Sequence, residues 1–174
     1  MPNWCDNTVR IYGPKEKLKR LKDWGHDGKL LEAMVPLGEW DYNTSVQEWG
    51  SKWDVEMSES EFEEMADDDW MLNGRFQSAW SPPIEAYATW LAANEDCELY
   101  ATYYEPGCNF CGIWDNGQDD QYEIPTTAQE AENTIPQELN DNYGIVDLVR
   151  ECEDEEDLST WMREGAEAKK EVVA

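Results

Sequence analysis

Cys108 and Cys111 form a Cys-x-x-Cys pair, the spacing used by zinc sites and dithiol redox centres. Zinc wants four ligands. The chain adds one histidine, His26, and three further cysteines, Cys5, Cys97 and Cys152, with no second paired spacing. The surrounding NFCGIW reads as a strand, where positions 108 and 111 point to opposite faces. A redox pair normally opens a helix, whose N-terminus lowers a thiol pKa. The pair is therefore read as packing, and no metal or cofactor is expected. His26 lies between Gly25 and Asp27 in a loop, so it is read as a solvated histidine and not as a general base, which requires a positioned partner. There is no Ser-His-Asp order, no Gly-rich phosphate loop and no HExxH string. Asp67, Asp68 and Asp69 are consecutive, so on a helix their carboxylates diverge rather than share a metal. No catalytic residue is assigned, and the sequence predicts a protein that is not an enzyme.

Two other groups of residues could carry recognition. Trp49, Trp53 and Trp80 either cover a sheet as an aromatic layer or wall a pocket for a planar ligand. The carboxylates are the sharper signal. Read as a helix, SESEFEEMADDD puts Glu59, Glu63 and Asp67 on one line and Glu64 with Asp68 on its neighbour. Helical neighbours stand about 5–6 Å apart, near the phosphate spacing along a nucleic-acid strand. Glu151, Glu153, Asp154, Glu155, Glu156 and Asp157 make a second cluster. Like charges this dense weaken their own helices by tenths of a kcal/mol per pair, a cost that a binding role would explain.

These groups must be positioned by the surrounding elements. Asn7 to Tyr12 alternates as a short strand, closed by Gly13-Pro14. Pro14 to Trp24 has helical spacing, with Gly25 as its stop. Residues 25–46 read as a long loop, and 47–57 as a strand kinked at Gly50. Ser58 with Glu61 forms a capping box for an acidic helix over 58–69. A strand over 70–80, a helix over 83–95 and strands over 98–105 and 109–114 follow. Residues 115–127 read as loop. Pro136 opens a helix interrupted at Gly144, and a second acidic helix carries Leu158, Trp161 and Met162 on its apolar side. The order through 114 is βαββαβ plus one strand, which predicts an α+β, ferredoxin-like antiparallel sheet with both helices on one face. Residues 1–114 then form the core domain, with 115–174 as an acidic, mainly helical extension.

The chain has 174 residues, 40 acidic against 13 basic, for a net charge of −27. Such a balance excludes a basic face that neutralises phosphates, so direct nucleic-acid binding is not expected. It equally disfavours an anionic membrane. Ten tryptophans and eight tyrosines set the chain apart from disordered acidic tails. Lysine outnumbers arginine eight to five and tryptophan is abundant, which argues against adaptation to high salt. The acid is segregated: residues 1–38 are net +2, whereas 39–73 are net −11 and 115–174 net −14. MPNWCDNTVR shows no signal-peptide pattern, and an odd number of cysteines suits a reducing cytoplasm.

Four strings carry a family resemblance. They are Met1-Pro2-Asn3-Trp4-Cys5 with Asn7 and Gly13, Trp49-Gly50-Ser51-Lys52-Trp53-Asp54, Phe76 with Ser78-Ala79-Trp80-Ser81-Pro82-Pro83, and Tyr104-Glu105-Pro106-Gly107 with Phe110 and Gly112. In this order, over about residues 1–114, the chain resembles the phage and plasmid family named for its YubB ferredoxin-like domain. The resemblance implies a ferredoxin-like fold and a mobile-element origin, and no catalytic residues. With the charge segregation, it leads to the expectation of an acidic protein that inhibits a basic, nucleic-acid-binding host protein by imitating nucleic-acid charge, as a host-defence inhibitor would. The partner-binding residues are then the two carboxylate clusters. The alternatives are a small enzyme or ligand-binding domain using Trp49, Trp53 and Trp80, or an accessory structural phage protein.

Overall fold

The computed structural model describes residues 3–65 and 69–155. The chain divides into two compact units, Met1–Tyr122 and Glu123–Ala174.

The first unit is built on a six-stranded sheet in the order β2-β3-β1-β4-β5-β6. The strands are β1 (Trp4–Pro14), β2 (Glu59–Glu64), β3 (Asp69–Ala79), β4 (Glu98–Glu105), β5 (Phe110–Asp115) and β6 (Gln118–Glu123). β1 pairs antiparallel with β3 and with β4, β2 with β3, and β4 with β5. Alternation along β1 turns Val9 and Ile11 to one side, where Ile11 faces Leu72 and Leu99 across the ladders. That side packs in one apolar core with Leu18 and Leu21 of α1 (Lys15–His26), Leu30 and Leu31 of α2 (Leu30–Met34), Trp49 of α3 (Tyr42–Trp49), and Tyr87 and Trp90 of α4 (Ile84–Ala92). The first unit is thus α+β, with an antiparallel sheet and four helices joined in one core.

Five sequence readings give way, in three regions and at the end of α1. First, 47–57 is not a strand. Asp41 accepts from the Thr44 amide and starts α3, and Gly50 at φ 76° ends it in the left-handed region. Residues 30–34, read as loop, form α2. Its N-terminus is satisfied from a distance, since the Asp54 carboxylate accepts from the Leu31 and Glu32 amides at 2.7 and 3.0 Å. Second, the acidic helix over 58–69 does not form. Residues 59–64 are β2, paired along its whole length with β3. A helix would stack Glu59 on Glu63, whereas the strand spreads the charges and buries one face of Phe62 against Trp70, ring centroids 4.5 Å apart. Third, the sheet continues past 115. Asn116 and Gly117, both at positive φ, turn the chain into β6. α1 also runs through Gly25 to His26. Gly25 is accommodated in the helix because a side chain there would press on Met57, and Gly28 at φ 72° follows the helix end.

The second unit contains α5 (Ala128–Thr134), α6 (Gln137–Tyr143) and helical residues 145–155, with Gly144 at φ 65° closing α6. Ala131, Leu139 and Ile145 are buried. The second acidic helix, with Leu158, Trp161 and Met162, lies outside the described residues, as do Asp67, Asp68, Glu156 and Asp157.

Candidate binding surface

Parts of the four strings, residues 3–7, 50, 78–81 and 105–108, meet at one end of the sheet, whereas Gly13 lies at the other end of β1. Asn7, buried in β1, donates its Nδ2 to the Cys5 carbonyl and to the Ser78 hydroxyl of β3, both at 2.8 Å. Ser78 donates to the Ser81 carbonyl at 2.7 Å, and Ser81 to the Gly50 carbonyl at 2.6 Å. The Trp80 amide donates to the Asn3 carbonyl at 3.0 Å. At the end of β4 the Glu105 carboxylate is wholly buried and accepts from the Gly107 and Cys108 amides. A continuous set of hydrogen bonds therefore ties segments 3–7, 50, and 78–81 together.

That scaffold presents aromatic rings to solvent. Trp4 is 47% exposed, Trp53 38%, Trp80 47% and Trp40 52%. Trp4 and Trp53 stand 6.4 Å apart, ring to ring. Trp40 donates its indole N–H to the Lys52 carbonyl at 3.1 Å. The Lys52 ammonium lies 4.3 Å from the Trp53 ring and 5.7 Å from that of Tyr42, itself exposed. Trp80 leaves the chain at φ 73°, a left-handed conformation costly for a bulky side chain. Exposed Glu39 and Asp41 adjoin Trp40 in the chain, half-buried Glu48 precedes Trp49 in α3, and exposed Glu85 lies close to Gly50. The backbone and side chain of Thr44 hold the Asp41 carboxyl below the ordinary carboxylate range.

The tryptophan set read from the sequence is split by this arrangement. Trp53 and Trp80 reach the surface, but Trp49 is buried in the core and donates to the Val35 carbonyl at 2.8 Å. No pocket walled by all three exists. Trp49 and Trp53 part because Trp49 ends a helix while Trp53 follows its cap. Trp4, Trp40, Tyr42 and Lys52 were missed. Trp4 and Lys52 stood within the family strings, but nothing local announced that their side chains face solvent.

The carboxylate clusters also rearrange. Glu59, Glu61 and Glu63 alternate along the edge strand β2, all exposed, with Glu61 accepting from the Asn73 amide at 3.3 Å. By register Glu59 lies opposite Arg75. Glu64 projects to the other side, opposite Trp70. Among the described residues no ion pair joins these four carboxylates to a Lys or Arg. The basic residues of α1 are otherwise engaged, Lys17 with Asp96, Lys19 with Asp23, and Lys15 over the Trp70 ring. In the second unit Glu151, Asp154 and Glu155 are exposed. Glu153 is half-buried and accepts from the Ala128 amide at 2.9 Å, capping α5, so its role is structural.

All five cysteines are free thiols. Cys108 is exposed while Cys111 is buried, so the pair does not present two thiols together. Burial pushes the Cys111 and Cys97 thiols up to about 11, and burial followed by the Glu105 charge pushes Cys5 higher still. A hydrogen bond to Glu105 raises Cys108. Each of these shifts favours the protonated thiol over the nucleophilic thiolate. Among the described residues no group of three or more His, Cys, Asp or Glu is arranged to hold a metal ion, and no helix is long and apolar enough to cross a membrane.

No family model matches the chain, and no curated protein matches it. Among solved structures it is similar to the crystal structure of protein api92 from Yersinia pseudotuberculosis, described by the family model DUF1281. The two are 19% identical with a TM-score of 0.36, over 55% of this chain and 39% of that one. The chain therefore spans well under half of that protein, and so slight a likeness assigns no function.

Proposed function

We propose that this is a non-enzymatic, ferredoxin-like binding protein of the YubB-type mobile-element group that inhibits a basic, nucleic-acid-binding host protein in the cytoplasm by offering it a negatively charged surface in place of nucleic acid. The order β2-β3-β1-β4, with helices between β1 and β2 and between β3 and β4, supports the ferredoxin-like plan. The observation that carries the functional reading is the row Glu59, Glu61 and Glu63: three carboxylates on an open sheet edge, exposed and without ion pairs among the described residues. Alternate residues of a strand repeat every ~6.7 Å. The row therefore covers about 13 Å, a stretch in which one DNA strand presents roughly four phosphates. It reproduces the sign and direction of the backbone at lower charge density, so the overall net charge of −27 must contribute to attraction at longer range. The test is capture of host DNA- or RNA-binding proteins from lysate at low salt, with duplex DNA as competitor. The triple variant Glu59→Lys, Glu61→Lys, Glu63→Lys should release them, and high salt should do the same. Capture that resists both the reversal and the DNA competitor would refute the reading.

A further inference from the structure

Of the large apolar side chains exposed among the described residues, six lie together in sequence or space: Trp40, Tyr42, Val46 and Trp53 on and around α3, with Trp4 and Trp80 from the strand ends beside it. The chain buries Trp49, Trp90 and Trp114, so it has the means to hide indoles and leaves these out. Clustered exposed apolar area of this kind marks an interaction site. Trp80 adds an independent sign. Its backbone is strained and is held by bonds on either side of the residue, from Trp80 to Asn3 and from Ser81 to Gly50. Strain of this kind persists where the surrounding structure enforces it, and it clusters at binding sites.

The surroundings identify the occupant. Exposed Glu39 and Asp41 flank Trp40 in the chain, exposed Glu85 lies close to Gly50, in the same string as Trp53, and Lys52 is the one basic residue between positions 39 and 73. Its ammonium already lies over Trp53, so the chain's own cation shows what the ring faces accept. Cations also lie over Trp70, Trp24 and Phe62. Aromatic rings inside an acidic rim suit guanidinium groups, which stack flat on indole and pair with carboxylates at their edges. Tryptophan at the centre of a polar rim is also the composition of an interface hot spot.

We infer that this tryptophan-bearing end of the sheet is the anchoring surface for an arginine-rich segment of the basic partner, with Trp4, Trp53 and Trp80 taking the guanidinium groups. The inference rests on the basic-partner reading and adds where that partner docks and which cation it must present. Lysine would be attracted by the same net charge but stacks less well, so the site selects by stacking and not by charge alone.

The test uses nona-arginine and nona-lysine peptides, titrated calorimetrically into the full chain. In roughly 0.5 M NaCl the Debye length falls to about 4 Å, which suppresses diffuse attraction. There nona-arginine should bind at least about tenfold more tightly than nona-lysine. The double variant Trp53→Ala, Trp80→Ala should abolish that preference while retaining the far-UV spectrum of the parent. Without any variant, bound nona-arginine should shield tryptophan fluorescence from acrylamide. An arginine preference unchanged in the variant, or acrylamide access unchanged by the peptide, overturns the anchoring surface and leaves the basic-partner reading standing. Failure of both peptides to bind at low salt overturns the basic-partner reading as well.

Discussion

Replacing Trp80 by glycine should leave a more stable protein than replacing it by alanine, the reverse of the usual order in a strand. Both variants lose the same indole, so its packing and exposure cancel in the comparison. What differs is the backbone. At φ 73° an alanine retains the left-handed penalty of about 1–2 kcal/mol, which glycine escapes. Glycine in turn loses about 0.5–1 kcal/mol through the greater freedom of the unfolded chain. The balance favours glycine by about 0.5–1 kcal/mol. With a urea slope of about 2 kcal/mol/M, the Trp80→Gly midpoint should lie roughly 0.3–0.5 M above that of Trp80→Ala. The assay is equilibrium urea unfolding followed by far-UV circular dichroism, because the substitution removes a fluorophore. Ala79, one residue earlier in regular β3, serves as the control. There Ala79→Gly should destabilise, since no positive φ is relieved. If Trp80→Ala proves as stable as Trp80→Gly, the strain argument is wrong, and with it the claim that the fold forces this indole outward.

Two further outcomes follow from half-buried Asp54 and from the buried thiols and Tyr103. Asp54 accepts from the Leu31, Glu32 and Val55 amides at 2.7, 3.0 and 2.8 Å; Asp54→Ala should therefore cost about 2 kcal/mol in urea unfolding and Asp54→Asn about half as much, whereas equal losses would show that charge, not acceptor number, matters. Cys97 and Cys111 are raised from 9.0 to about 11, and Cys5 and Tyr103 lie higher, each chiefly through burial; the folded state prefers their protonated forms, so stability is fully present below pH 9.0 and is lost as pH rises through about 11. A melting temperature that stays flat from pH 9 to 11 would contradict this assignment.

Elements whose pattern is internal to their own segment were legible in the sequence. The strand 98–105 has the bounds that the sequence predicts, because ELYATYYE alternates and Pro106-Gly107 ends it. α1 and α4 follow from prolines at their starts and apolar residues at helical spacing. Elements defined by a partner were not legible. β2 holds a single large apolar residue, Phe62, and becomes a strand because β3 pairs with it. α2 depends on a carboxylate more than twenty residues away. Trp49 and Trp53 are four apart, a spacing that lies on one side of either a strand or a helix. The decisive signs were Asp41 and Gly50, which flank the segment outside its apolar pattern. The recognition residues followed the same division. The presence of carboxylates and tryptophans could be counted, but which indoles remain exposed depends on the positive φ at Trp80 and on bonds between remote segments.

The central position of β1 sets a timetable for synthesis. All eleven of its residues pair with β3 and seven with β4, so both of its edges must wait for chain that follows much later. At a ribosomal rate of about 5–20 residues per second, the last of those partners arrives roughly 5–20 s after β1 itself. For that interval Val9 and Ile11 lie in a strand with two open edges, the configuration most prone to pairing with another nascent chain. Folding of the first unit is therefore a late, non-local event. A polypeptide that stops before residue 98 leaves one edge of β1 uncovered and should accumulate as aggregate, whereas one that extends through residue 123 completes the sheet.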